Sequence, residues 1–136
     1  THDQSSAASD VYKRQTGPET IRTLTAPTIS EAAEEAGRPA PQVAMGLPVC
    51  VTSDVDAARE RADRDYAIYG QLPSYRAMLD REGAATPADV AIIGDAGEVA
   101  DRIGALADCG VTTFAASAFG SSDELAATRE VMISLL

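Results

Sequence analysis

The chain has 136 residues, of which 45% are hydrophobic and 24% are charged, a composition typical of a globular domain rather than of a disordered or fibrous protein. No apolar run approaches the roughly 18 residues that a membrane span requires, so we expect a soluble protein with no membrane partner. The net charge is −10, and a field of that sign repels phosphate backbones. Composition therefore argues against a nucleic-acid partner.

The side chains that most often carry acid–base or metal chemistry are scarce. The only histidine is His2 and the only lysine is Lys13. If both lie outside the fold, imidazole catalysis, histidine-ligated zinc and lysine Schiff bases are excluded, and we expect no metal site. Cys50 and Cys109 are far apart and form no C-x-x-C motif, so we interpret them as buried, reduced thiols of a cytoplasmic protein.

The first fifteen positions differ from the rest of the chain. Residues 1–15 are polar, lack hydrophobic periodicity and contain no apolar segment of a signal peptide. Their end, residues 10–15, resembles translated adapter sequence. We therefore expect a disordered or non-native tail over residues 1–15 and a folded segment over residues 16–136.

The first predicted elements are a helix and a strand. The helix opens at Pro18, should be broken or kinked by Pro27 into two short helices, and ends at Gly37. Residues 43–52 are apolar on both faces, as buried parallel strands are. Pro48 is the weak point of this strand because it removes a ladder donor.

Two helices are predicted next. One spans residues 53–69 after an acidic first turn, and the other begins at Pro73 and ends at Gly83. They hold three of the four tyrosines of the chain, namely Tyr66, Tyr69 and Tyr75. Core or interface packing is the favoured role of these rings, and contact with a substrate is the alternative.

The remaining elements are a helix, a strand and a final helix. Gly94 and Asp95 superficially resemble a phosphate-binding turn, but we favour an acidic N-cap for a helix with Val99, Ile103 and Leu106 facing inward. Residues 111–118 form the second predicted strand. The last helix begins after Ser121, and we expect four of its apolar residues to pack on the sheet: Leu125, Val131, Met132 and Leu135.

This order of elements is that of a parallel α/β protein with right-handed crossovers. Two strands do not make a parallel sheet that is stable alone, because such strands need neighbours and cover on both faces. We infer that part of the fold precedes Thr16.

Several short motifs, in this order, carry a resemblance to a known family. They are Thr16-Gly-Pro-Glu-Thr20, Ala26-Pro-Thr-Ile29, Ala36-Gly-Arg-Pro-Ala-Pro41, Val49 to Thr52, Tyr69-Gly-Gln-Leu-Pro-Ser-Tyr75 and Ala88-Asp-Val-Ala-Ile-Ile-Gly-Asp95. Over residues 16–136 the chain resembles the luciferase-like monooxygenase superfamily, and more closely the C-terminal part of its coenzyme F420-dependent oxidoreductases.

The resemblance implies the C-terminal portion of a (β/α)8 TIM barrel, about the last two strands and their helices. It implies hydride transfer between coenzyme F420, a deazaflavin, and a small organic substrate in a longer parent protein. Thr16, Gly17 and Pro18 would follow a strand at the mouth of the barrel, and they are the only positions that it assigns to cofactor binding. No catalytic residue is identified.

Two alternatives stay open. One is a luciferase-like monooxygenase that uses flavin mononucleotide (FMN), which demands less charge compensation from an acidic chain. The other is a self-contained acidic α/β interaction module. We also expect the isolated segment to bind neither cofactor and to be inactive, and its open barrel edge to favour self-association into homo-oligomers.

Overall fold

The computed structural model describes residues 11–14 and 16–136, which form parallel strands alternating with helices. The strands are β1 (Val11–Arg14), β2 (Val43–Val51), β3 (Ile92–Gly94) and β4 (Thr113–Ala118). The α-helices are α1 (Pro18–Thr20), α2 (Ala26–Glu35), α3 (Val55–Asp65), α4 (Pro73–Glu82), α5 (Pro87–Val90), α6 (Ala96–Ala105) and α7 (Ser122–Ser134). A π-helical segment, Ile21–Thr25, joins α1 to α2, and 3-10 turns occupy Tyr69–Gln71 and Leu106–Cys109. The predicted parallel α/β class is confirmed for this part of the chain.

Strand β2 is the centre of the sheet. Residues 44–46 pair with both β1 and β4, and Val49 pairs with both β3 and β4. Consequently β1 and β3 lie on one side of β2, beside its first and last residues respectively, while β4 lies on the other side. Both predicted strands are found, and β1 and β3 are additional.

Pro48 is accommodated by a gap between two neighbouring strands. The N–H of Thr52 donates to the carbonyl of Gly94 in β3 at 2.9 Å, so even-numbered residues of β2 direct their backbone groups toward β1 and β3. Pairing with β1 ends at Gly46 and pairing with β3 begins at Val49. The donor that Pro48 lacks therefore faces a position where no ladder bond is made.

Strand β1 corrects the prediction for the N-terminal segment. Val11–Arg14 pairs in parallel with the first residues of β2, so the expectation that residues 1–15 lie outside the fold is wrong for these four residues. The physical reason is that the edge of β2 carries N–H and C=O groups that a short strand can satisfy, whatever its side chains. Lys13 belongs to this strand, and the other residues of the segment lie outside the described residues.

The two faces of the sheet are covered by different helices. Odd-numbered side chains of β2, among them Met45, Leu47 and Val49, are fully buried beneath the π-helical segment, α6 and α7. On the opposite face, Cys50 and Ile93 pack against small residues of α3 and α5. Residues 55–90 therefore connect β2 to β3 through a group of helices, and these helices cover the opposite face near the carboxyl ends of the two strands.

The predicted break at Pro27 is instead a change of helix type. The chain stays helical from Pro18 to Glu35, and the N–H of Ala26 bonds the carbonyl of Ile21 five residues earlier. A wider π turn next to a proline accommodates the missing donor without ending the helix. Gly37, with φ of 66°, follows the end of α2 as predicted.

Two helices differ from their predicted extent or face. Helix α3 ends at Asp65 rather than at residue 69, since the chain turns there and the Tyr66 ring packs edge-on against Phe119. In α7 the expected contacts of Leu125 and Leu135 with the sheet are wrong, because these side chains are 36% and 43% exposed. Thr128 is fully buried on that face instead.

Candidate functional site

The predicted cofactor-binding positions lie in the loop between β1 and α1. Thr16 lines a cavity, Gly17 is buried, and Pro18 is the first residue of α1. The structure thus keeps these three residues at the end of a strand and the start of a helix, as expected, but only Thr16 lines this cavity.

The N-terminus of α1 is occupied by a carboxylate from α4. The N–H of Glu19 donates to Oε2 of Glu82 at 3.1 Å, and the N–H of Thr20 donates to Oε1 at 2.6 Å. A Cβ atom added to Gly17 would lie 2.2 Å from the carboxyl carbon of Glu82. Glycine is therefore required for the close approach of this side chain, and the N–H groups that could receive a phosphate are already bonded.

A cavity of about 450 Å³ lies beside this helix start, between the π-helical segment and α4. Its apolar wall consists of Leu24, Tyr69, Leu72, Tyr75 and Met78, and its polar wall of Thr16, Thr20, Thr25, Ser74 and Arg81. The volume is within the range of small-molecule sites, which are mostly apolar with a few polar groups that orient the ligand.

Several polar side chains of this cavity have no partner among the described residues, and Thr20 and Arg81 are two of them. Thr20 is 6% exposed, and its Oγ1 atom is buried without a hydrogen bond. Arg81, an exposed residue in the last turn of α4, makes no ion pair or hydrogen bond within residues 16–136. Nearby arginines differ: Arg22 pairs with Glu19 at 2.6 Å, and Arg76 pairs with Asp80 at 2.9 Å.

The tyrosine cluster divides between the core and the cavity. Tyr66 packs edge-on against Phe119, with ring centroids 6.2 Å apart, which is the predicted core role. Tyr69 and Tyr75 line the cavity with ring centroids 6.0 Å apart. Burial raises the pKa of the Tyr75 phenol above its ordinary value, and the two neighbouring tyrosines add to the shift. The phenol is therefore neutral at physiological pH.

A second concave region lies at the carboxyl ends of β2 and β3, where enzymes with parallel barrels place their catalytic loops. It measures about 420 Å³ and is lined by four carboxylates, those of Asp54, Asp95, Asp123 and Glu124. Asp54 and Asp95 each accept a hydrogen bond from the first turn of the following helix, at 3.1 and 2.9 Å. The predicted acidic N-cap at Asp95 is confirmed, and the acidic lining does not fit a phosphate.

Glu124 is the most heavily bonded carboxylate of this carboxyl edge. Its oxygens accept from the Ser121 N–H at 2.6 Å, the Thr52 hydroxyl at 2.8 Å and the Arg61 guanidinium at 2.9 Å. The Ser121 backbone N–H contributes most to lowering the pKa of Glu124 below its ordinary value, with Thr52 and Arg61 adding to the effect against the opposing influence of burial. These hydrogen bonds thus hold the Glu124 carboxylate within the fold.

The cysteines are free thiols with different exposure. Cys50 is fully buried, and burial raises its pKa to about 11, so it is protonated at neutral pH. Cys109 is half-buried rather than buried as predicted. In the part of the chain that the structure describes, no cluster of His, Cys, Asp and Glu could hold a metal ion, and no helix is long and apolar enough to cross a bilayer.

Sequence reasoning missed Thr20, Arg81 and Glu82. Thr20 is an ordinary residue of a helix start, and Arg81 has the favourable charge of a last helical turn, so neither stands out in the sequence. Glu82 reaches α1 across more than sixty positions of the chain, with a separation of 63 from Glu19. No local pattern predicts such a contact.

Comparisons with known proteins support the fold. No protein-family profile and no curated protein matches the sequence. Among solved structures, an F420-dependent secondary alcohol dehydrogenase in complex with an F420-acetone adduct is similar, with a TM-score of 0.69 and 22% sequence identity over 94% of this chain. The chain spans 43% of the length of that protein. At this identity the similarity establishes a shared fold for this segment.

Proposed function

We propose that the chain is the C-terminal segment of a luciferase-like, F420-dependent oxidoreductase that transfers a hydride to or from a small organic substrate. The observation that carries the proposal is the similarity in fold to an F420-dependent secondary alcohol dehydrogenase over 94% of the chain. The unpaired edge of β4 supports it, because within the described residues β4 pairs with β2 alone. In a longer parent this edge would pair with the first strand of the barrel and so close it.

The chain's own contribution is to build part of the wall around the reacting groups. When bound, the deazaflavin ring would accept or donate the hydride. Thr16, which lies at the edge of the cavity, would contact the cofactor outside it, with Gly17 and Pro18 holding the loop in place. The start of α1 does not fit a phosphate, since Glu82 takes the N–H groups of Glu19 and Thr20. The proposal therefore assigns no phosphate contact to the start of α1.

Two further features of the proposal concern partners and location. The parent would act on a small molecule together with a flavin-type cofactor in the cytoplasm. The free edge of β4 would make the isolated segment prone to self-association, because an unpaired strand offers a row of backbone donors and acceptors to a second copy.

The test compares the product of the longer reading frame with the 136-residue chain. The longer protein should bind F420 and reduce it with a small secondary alcohol, and it should not oxidise substrates with FMN and oxygen. The isolated chain should bind neither cofactor by calorimetry. FMN-dependent oxygenation would favour the monooxygenase alternative.

Saturable micromolar binding of F420 by the monomeric 136-residue chain would contradict the segment proposal. A native start codon near Thr16, with no coding sequence upstream, would instead favour the acidic interaction module. In that case the exposed edge of β4 is the surface that a partner would use.

A further inference from the structure

The cavity between the π-helical segment and α4 combines unsatisfied polar groups with an exposed apolar rim. Leu24, Tyr69 and Leu72 line it and are 44%, 38% and 49% exposed, so three apolar side chains are exposed around one cavity rather than scattered singly. Thr20 brings a buried hydroxyl that lacks a partner among the described residues. A buried hydroxyl without a hydrogen bond is destabilising unless something else satisfies it.

The charge around the cavity favours a ligand with a negative group. Among the described residues that line the cavity, Arg81 alone is charged, and it has no partner in this part of the chain. The carboxylates nearby are bonded elsewhere: Glu82 to the start of α1, Glu19 to Arg22 and Asp80 to Arg76. One unpaired guanidinium next to paired carboxylates is complementary to a single anionic group.

We propose that this cavity binds a small organic monoanion, such as an aromatic or alicyclic carboxylate. Arg81 and the Thr20 hydroxyl hold the acid group, and the ring packs against Tyr69, Tyr75 and Leu72. A coenzyme with a phosphate and a glutamate tail carries more negative charge than one guanidinium balances, so the cavity suits the substrate or product rather than F420. The identification of this monoanion as a substrate or product rests on the proposed function, whereas the proposal that the cavity binds a monoanion does not.

The test uses the 136-residue chain and three naphthalene probes of similar shape. They are 2-naphthoate, uncharged 2-naphthalenemethanol and the cation 2-naphthylmethylammonium. Calorimetry should give saturable binding of naphthoate with a Kd below about 1 mM, binding of the alcohol about tenfold weaker, and no binding of the cation. Amide shifts in NMR spectra should centre on Thr20, Tyr69 and Tyr75.

Variants identify the groups responsible. Arg81→Gln should weaken naphthoate binding about tenfold and leave binding of the alcohol unchanged, because only the charged probe uses the guanidinium. Arg129→Gln, which removes an exposed charge of α7, should change neither. Thr20→Val should weaken naphthoate binding, and Thr20→Ser, which retains the hydroxyl, should preserve it. The thermal transition of each variant checks that it folds.

Several outcomes would overturn the proposal: no binding of naphthoate, equal binding of the three probes, shifts centred on the acidic carboxyl edge, or equal losses for Arg81→Gln and Arg129→Gln. None of these measurements involves F420, so their outcome neither supports nor refutes the proposed function. A longer protein that does not bind F420 would refute the oxidoreductase and leave a monoanion-binding site in place.

Discussion

Two concave regions of nearly equal size, about 450 and 420 Å³, differ in how their polar groups are satisfied. At the carboxyl edge of the sheet, Asp54 and Asp95 cap the helices that follow them, and Glu124 is held by three donors. In the cavity beside α4, Thr20 and Arg81 have no partner among the described residues. The carboxyl edge of the sheet is the expected place for a site, but Asp54, Asp95 and Glu124 are already bonded there within the fold. Polar groups that remain free to bind a ligand lie in the cavity beside α4.

The main hydrophobic core should give the largest effect. Leu106 is 4% exposed and belongs to the main core cluster with Leu47 and Val131. Leu106→Ala should lower the free energy of unfolding by about 2 to 5 kcal/mol, through lost burial and the cavity left behind. Urea denaturation measures this, and a negligible change would show that the predicted inward stripe of α6 is not core.

The satisfied hydroxyl at the carboxyl edge should come next. Thr128 accepts from the Val51 N–H at 2.9 Å and donates to the Glu124 carbonyl at 2.7 Å. Thr128→Val keeps the shape but leaves a buried N–H without a partner, so it should reduce stability by about 1 to 3 kcal/mol. Hydrogen exchange at Val51 should accelerate, and an unchanged denaturation midpoint would contradict this role.

The bonded carboxylate at the same edge should make stability depend on pH. Because the pKa of Glu124 is lower in the folded chain than its ordinary 4.5, ionised Glu124 stabilises the fold above about pH 4.5, and this contribution disappears as the pH falls through its folded pKa. Glu124→Gln should destabilise by about 1 to 2 kcal/mol at pH 7. The difference between variant and parent chain should shrink on acidification, and a constant difference would refute it.

The unpartnered hydroxyl of the cavity should give the smallest effect, opposite in kind to that of Thr128. Thr20 Oγ1 makes no hydrogen bond in the described structure, so replacing it by a methyl group removes an unsatisfied atom and no interaction. Thr20→Val should therefore leave the free energy of unfolding within about 0.5 kcal/mol or raise it. A loss as large as that of Thr128→Val would mean that the two threonines do not differ.

Local sequence determined most of the helices and the main strand. The N-caps at Asp95 and Ser121 bind residues three positions along the chain, and Gly37 and Gly83 end helices with a positive φ that disfavours other residues. The apolar pattern of residues 43–52 identifies β2, and the spacing of Val99, Ile103 and Leu106 identifies the inward face of α6 and of the 3-10 turn that follows it. Capping and periodicity act over a few residues, so a single sequence contains them.

Tertiary structure alone decided the rest, because the relevant contacts join distant segments. The strand at Val11–Arg14 exists through pairing with β2 rather than through its own pattern. The burial of Thr128 in place of Leu125 depends on where β4 ends against β2, and the contact of Glu82 with α1 depends on the path of the helices between them. Such contacts place the Glu82 carboxylate at the start of α1, beside the predicted cofactor-binding residues, and leave Arg81 unpaired among the described residues, which no local pattern reveals.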